Sequence, residues 1–214
     1  MTDAAKFWDK HAKGYARSPI KNKAAYDTTM TRSKAHLSPQ DKVLEIGCGT
    51  GTTALILADS VAEITATDIS GQMIDIADDK ARAQQVENVT FFPATLFDDR
   101  LAPGAFDAIL VYNALHLLAD TPMVLQRIRQ LLKPGGRLIS KTPCIGDMNI
   151  FARALIPLLM KFGIAPNPIH FFKQPALEEL IRQAGFDILE TGLYPAPSSF
   201  FIVARQQEQR PETN

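Results

Sequence analysis

Two cysteines in 214 residues, Cys48 and Cys144, are too few for a disulfide framework, and neither belongs to a pair with metal-ligand spacing. A stapled secreted fold and a Cys/His metal centre are set aside, and a reduced cytoplasmic setting is expected. No stretch reaches the roughly 18 or more uninterrupted apolar residues that a membrane-spanning helix needs. The start, MTDAAKFWDKHAKGYARSP, is polar and has no apolar signal region. No stable membrane association is expected. Charge of one sign is missing as well: 23 Lys and Arg balance 23 Asp and Glu. A chain without basic excess has no general electrostatic reason to hold nucleic acid. No internal repeat is visible, and nothing in the pattern sets an oligomeric state. What is present is an ordinary globular composition, 46% hydrophobic and 21% charged, at a length that suits one domain.

Residues 3–36 read as helical and polar, broken at Ser18-Pro19. Short apolar or β-branched runs follow at 43–46, 63–67, 88–94, 106–112 and 137–141. Between them lie helical stretches at 52–60, 71–85 and 122–132, the last ended by KPGG. Strands alternating with helices at this interval imply parallel β-α-β units. The tail departs from the alternation. ALEELIRQAGF is a helix with a glycine stop, and two strand candidates follow at 187–193 and 200–204. The break between them, YPAPSS, is too short for a crossover helix, so this pair should be antiparallel. The expected fold is a doubly wound, mostly parallel α/β sheet of seven strands with an antiparallel last strand. One domain over 1–214 is expected: a helical cover (1–37), a ligand-binding core (38–143), an insertion (144–174), a helix and strand pair (175–205) and a polar tail (206–214).

The stretch VLEIGCGTGTTALILADSVAEITATDIS, residues 43–70, carries the chemistry. A strand that ends in Gly47, Gly49 and Gly51 and opens into a helix brings backbone close to a ligand, because each glycine removes a side chain or permits a left-handed angle. Asp68 stands 17 residues after Gly51, at the end of the next strand. This is near the ~20 expected of an acid that accepts from ribose hydroxyls. Loop and acid together point to a ribose-bearing cofactor. The dinucleotide fingerprint Gly-x-Gly-x-x-Gly/Ala fails from Gly47, where Thr52 takes the third position, but passes from Gly49, where GTGTTA ends on Ala54. On the glycines alone, an NAD(P)-dependent oxidoreductase stays open.

The longer string resembles motif I of the class I S-adenosylmethionine-dependent methyltransferases, with Glu45 two residues before the first glycine. TATDIS with QMIDIA resembles that family's second motif, FDAILVYNALHLL its fourth-strand motif, and RIRQLLKPGGRLI its following helix and turn. Four motifs in order are more specific than one glycine loop. The branch that is most similar is the ubiquinone/menaquinone-biosynthesis type, whose small-molecule substrates are diverse. The resemblance implies S-adenosyl-L-methionine as cofactor and S-adenosyl-L-homocysteine as product. It sets the methionine end against Gly47, Cys48 and Gly49, and the ribose on Asp68. Ile69 and Met73 would pack beside the adenine, and Asn113 and Ala114 would lie near the sulfur. Where the family has an acid after the third strand, this chain has Thr95, a weaker neutral acceptor, which leaves more to the backbone around Leu96. Cys48 is expected to contribute only backbone and small size.

Methyl transfer from a sulfonium is an in-line displacement and needs no metal. It needs a held acceptor, little water and, for some acceptors, a base. His116, after the fourth strand, is the first candidate for that base; its alternative is a packed or capping histidine. Tyr15 resembles the family's N-terminal tyrosine that closes over the cofactor; its alternative is a packed tyrosine on the covering helix. His170 is a further candidate for facing the site from the insertion. That insertion supplies Ile150, Phe151, Leu155, Leu158, Phe162, Phe171 and Phe172, with Pro157 to bend it. It reads as the wall or lid of an apolar pocket, closed from the other side by helices around Tyr15 and Tyr26, for a small apolar or aromatic acceptor. A catalytically silent scaffold on the same fold is the remaining alternative.

Overall fold

The computed structural model of the chain describes residues 2–197 and 199–207; most of the polar tail lies outside the described residues. Each helix starts where a side chain or a turn takes up its free N–H groups. Thr2 accepts from the Ala5 N–H to start α1 (Asp3–Arg17), and Asn22 accepts from Ala25 to start α2 (Lys23–Lys34). The Ser18-Pro19 break separates these two helices as expected. Then come β1 (Lys42–Ile46), α3 (Thr52–Leu57), β2 (Glu63–Asp68) and α4 (Gly71–Gln84), whose cap is Ser70. β3 (Val89–Pro93), β4 (Phe106–Tyr112) and α5 (Thr121–Leu131) follow, the last begun by Asp120 and Pro122.

The next strand, β5 (Leu132–Pro143), differs from the sequence reading. KPGG does not separate helix from strand; it lies inside the strand. Leu132 pairs with Phe106, and the register then shifts before Arg137 pairs with Ala108. Lys133 is ion-paired to Asp107 at 2.8 Å, which holds the irregular start against β4. Gly136 fits there because a Cβ would stand 2.9 Å from the Lys133 carbonyl oxygen.

α6 (Ile150–Lys161) runs through Pro157 without interruption, and α7 (Gln174–Gln183) precedes β6 (Phe186–Leu193) and β7 (Ser199–Gln206). One seven-stranded sheet results, in the order β3-β2-β1-β4-β5-β7-β6. β1 to β5 are mutually parallel, and β7 runs antiparallel to both β5 and β6. The final pair is antiparallel, as its short connection requires.

The sheet buries two apolar faces. One packs Leu44, Ile109, Val111 and Leu138 against Leu125 and Ile128 of α5 and Leu177 and Ile181 of α7. The other packs Val43, Ala108, Leu110 and Ile139 against Leu57, Ile74 and Ala77 of α3 and α4 and Met30 of α2. α1 lies against α4 through a polar joint, where the Ser70 hydroxyl donates to Asp9 at 2.6 Å. α6 is less covered: among its described residues Ile150 is about 70% exposed and Leu155 and Leu158 about half.

Candidate functional site

The C-terminal ends of β1, β2 and β4 meet at the glycine loop. Gly47, Gly49 and Gly51 all hold left-handed backbone angles, with φ of 69°, 53° and 74°. A Cβ on Gly47 would stand 2.7 Å from the Ala114 Cβ, so the missing side chain lets the segment after β4 close on the loop. A Cβ on Gly51 would stand 2.8 Å from Ala77 and Phe91, so this glycine seats the loop on the core. The Tyr15 ring lies over Gly49. Lys80 holds the loop from below, donating to the carbonyl and hydroxyl of Thr50 and the hydroxyl of Thr52 within 3.0 Å. No sequence signal marked Lys80; a lysine in the middle of a helix is ordinarily a solvated one.

Asp68 accepts from the Gly49 N–H and the Ser70 N–H, both at 2.9 Å, one on each carboxylate oxygen. Burial pushes its pKa up, and these backbone donors pull it back. Each oxygen retains a further lone pair for a ligand hydroxyl. Glu45, at the end of β1, is almost fully buried, and its Oε2 has no hydrogen-bond partner. Burial, and then the charge of Asp68, push this carboxyl up to about 8. Burial, and then the charges of Glu45 and Asp68, raise the Cys48 thiol well above its ordinary range.

A cavity of about 240 Å³ opens between this loop and the N-terminal segment. Of the residues expected from sequence, Tyr15, Glu45, Gly47, Cys48 and Asn113 line it. Gly49, Gly51, Asp68 and Ala114 shape the loop around it. Asn113 holds φ of 54°, an uncommon angle for a residue other than glycine, directly after β4. The lining that sequence reasoning missed comes from the α1–α2 turn, Ser18 to Ile20, from Thr53 and from Tyr112. Tyr26 closes the same side, its hydroxyl 3.4 Å from the Thr53 hydroxyl.

Ile69, Met73, Thr95, Leu96 and His116 stand apart from the cavity lining. Ile69 is half-buried and Met73 buried at the start of α4. Thr95 is exposed, and its hydroxyl accepts from the Phe97 N–H at 3.3 Å within its own turn. The Leu96 side chain is a core residue. His116 is buried one helical turn past Asn113, with no partner for Nδ1. Its carbonyl accepts from the His170 N–H at 2.7 Å, so the insertion does bring a second imidazole to this edge. Burial, and then the neighbouring His170, hold the His116 pKa down to about 4.

The rest of the insertion is placed differently from the expected wall. The cavity takes no lining from it, and Ile150, Leu155, Leu158 and Phe162 face outward. The Phe151 side chain lies outside the described residues. Phe172 is buried, and its carbonyl accepts from the Gly146 N–H at 2.8 Å, which ties the return of the insertion to the edge of the sheet.

Residues 43–136 match the family described as a methyltransferase domain. Methyltransferase GfsG of Streptomyces halstedii is 28% identical over 166 residues, which cover 76% of this chain and 59% of that protein. Demethylmenaquinone methyltransferase of Lactococcus lactis is 28% identical over 167 residues, 69% of this chain and 66% of that one. The chain thus spans just under two thirds, at most, of the length of these two relatives. A solved structure from Thermotoga maritima, an S-adenosylmethionine-dependent methyltransferase described as possible histamine N-methyltransferase, superposes with a TM-score of 0.69 at 21% identity, covering 94% of this chain and 99% of that one. The antiparallel strand between β5 and β6 also departs from the 3-2-1-4-5-6 order of dinucleotide-binding folds. The match to the methyltransferase-domain family thus spans somewhat less than half of the chain, and the whole sheet shares its fold with a solved methyltransferase.

Proposed function

We propose that the protein is an S-adenosylmethionine-dependent methyltransferase acting on a small molecule. The observation that carries this reading is the pair of carboxylates around the glycine loop, Glu45 buried and Asp68 half-buried. Glu45 lines the cavity and keeps an Oε2 without a partner, which fits a ligand ammonium group. Asp68, fixed by two backbone donors, fits a ribose diol. An orphaned buried carboxylate is costly unless a partner arrives. In this reading Gly47, Cys48 and Gly49 present backbone to the methionine end, and Ile69 and Met73 border the adenine. Thr95 and the backbone at Leu96 complete that side, and Ala114 and Asn113 border the sulfur. Bound there, S-adenosylmethionine supplies a sulfonium-activated methyl group that passes to a nucleophilic atom of the acceptor, leaving S-adenosylhomocysteine.

The chain's own residues orient and exclude water. Tyr15 covers Gly49, and its phenol stays protonated because partial burial, Asp68 and Glu45 all raise its pKa. His116 is a neutral imidazole at physiological pH and, with so low a pKa, a weak base. We therefore assign it to hydrogen bonding with the acceptor, with proton uptake only where the acceptor is itself acidic. The aromatic lining of the cavity, Tyr15, Tyr26 and Tyr112, supports an apolar or aromatic acceptor. Two buried free thiols are consistent with a reduced cytoplasmic location.

Calorimetry with S-adenosylmethionine and S-adenosylhomocysteine tests the proposal; no binding at millimolar ligand refutes it. Tight binding of NADH, with none of the sulfonium cofactor, would instead select an oxidoreductase. Transfer of labelled methyl to any small acceptor would dispose of a silent scaffold.

A further inference from the structure

Lys141 is a buried side chain that the proposed chemistry does not use. Only 8% of the residue is exposed, yet its ammonium makes no hydrogen bond or ion pair with any described residue. The stem is buried while Nζ is not among the buried unpaired atoms, so the ammonium keeps an open side on which an anion can meet it. Burial pulls its pKa down. Its position is as informative as its isolation. β5 pairs Lys141 with Tyr112 of β4 on one side and with Phe201 of β7 on the other. Both neighbours belong to the face of the sheet that carries the glycine-loop helices, so side-chain alternation turns Lys141 to that same face. The backbone agrees: the Lys141 carbonyl accepts from the N–H of Asn113, the left-handed residue that lines the cavity, at 2.7 Å.

Glu45 pairs with Leu110 of β4, and Lys141 pairs with Tyr112 two residues further along. Two strand spacings and two residue rises separate them, about 12 Å in the plane of the sheet. Lys141 thus stands one strand beyond the Tyr112 wall of the cavity, on the side away from Asp68. The Tyr112 hydroxyl donates to Ser33 at 2.6 Å and makes no hydrogen bond with Lys141. The Tyr194 ring packs 5.8 Å from Phe201 and extends the aromatic surround.

We propose that Lys141 is a specificity residue that pairs with an anionic group on the acceptor, and that this group is a carboxylate on an aromatic or apolar body. One cation at the end of the sheet matches a monoanion. A phosphate dianion would leave one charge unmatched, in a site that already holds Asp68 and Glu45. Tyr112, together with Tyr26 and Tyr15 across the cavity, lends the aromatic lining for the body of such an acid. The proposal rests on the methyltransferase reading, since it places an acceptor beside a bound cofactor.

The test uses the full chain saturated with S-adenosylhomocysteine, titrated calorimetrically with benzoate, phenylacetate and hexanoate and with the three matching primary amides. The acids are expected to bind at least about 10-fold more tightly than their amides. Lys141→Met should abolish that preference, and Lys141→Arg should retain part of it. Affinity for S-adenosylhomocysteine, measured on each variant, reports that the fold is intact. Equal binding of acids and amides, binding of neither, or a preference that survives in a folded Lys141→Met variant would overturn the assignment. Failure of the wild type to bind S-adenosylhomocysteine would strike the methyltransferase reading itself.

Discussion

At the scale of single residues, the site is governed by two acids with opposite solutions to burial. Asp68 is held by two backbone N–H groups, whereas Glu45 has one oxygen with none. Asp68→Ala removes charge-assisted bonds to a ribose and releases the Gly49 amide. Affinity for S-adenosylhomocysteine should fall by roughly 1.5–3 kcal/mol, and an unchanged value would show that the ribose lies elsewhere. Glu45 makes a different prediction, about pH. With its folded pKa raised to about 8, the folded chain keeps a proton that the unfolded chain loses from the ordinary carboxylate range upward. Stability of the ligand-free protein therefore declines as pH rises through that window to about 8, and the contribution is whole only below it. Glu45→Gln should flatten this decline and raise Tm at pH 8, while weakening S-adenosylhomocysteine. Parallel pH–Tm curves for the two proteins would contradict the assignment.

At the scale of elements, the glycine loop and the insertion behave as opposites. The loop has no slack: Gly47→Ala would set a Cβ 2.7 Å from Ala114 at a backbone angle that side chains resist. A loss of at least ~1 kcal/mol in denaturant unfolding is expected, with cofactor affinity lost alongside it. An unperturbed variant would mean that the segment after β4 can move away freely. The insertion is anchored at its ends, by Asp147 accepting from the Gln174 N–H at 2.9 Å and by the His170–His116 backbone bond, while α6 between them is uncovered. An element with few packed contacts opens at low free energy. Amide exchange over 144–173 and 1–36 should slow on adding S-adenosylhomocysteine; equal exchange in both segments would argue against a lid.

At the scale of the whole molecule, the sheet was legible because strand and helix periods alternate without ambiguity, and the antiparallel end because YPAPSS leaves no room for a crossover. The start of β5 was not legible. Pro134, Gly135 and Gly136 look like a break, and only pairing of Leu132 with Phe106 turns them into strand. The glycines and Asp68 were readable because their backbone demands leave a sequence pattern. Asp9, Lys80, Tyr112 and the Ser18–Ile20 turn were not, since their roles arise from partners distant in the chain. One of these contacts reaches further than its size suggests. Ser70 gives its N–H to Asp68 and its hydroxyl to Asp9, so a single residue joins the ribose carboxylate to the helix that carries Tyr15. Docking of α1 and occupancy of the cofactor site are therefore reciprocal quantities: whatever factor a ligand adds to helix closure, closure must return to ligand affinity. Asp9→Ala should lower affinity for S-adenosylhomocysteine and weaken, by the same factor, the ligand's protection of α1 amides. The N-terminal helix would then act as an allosteric ligand covalently attached to its own receptor.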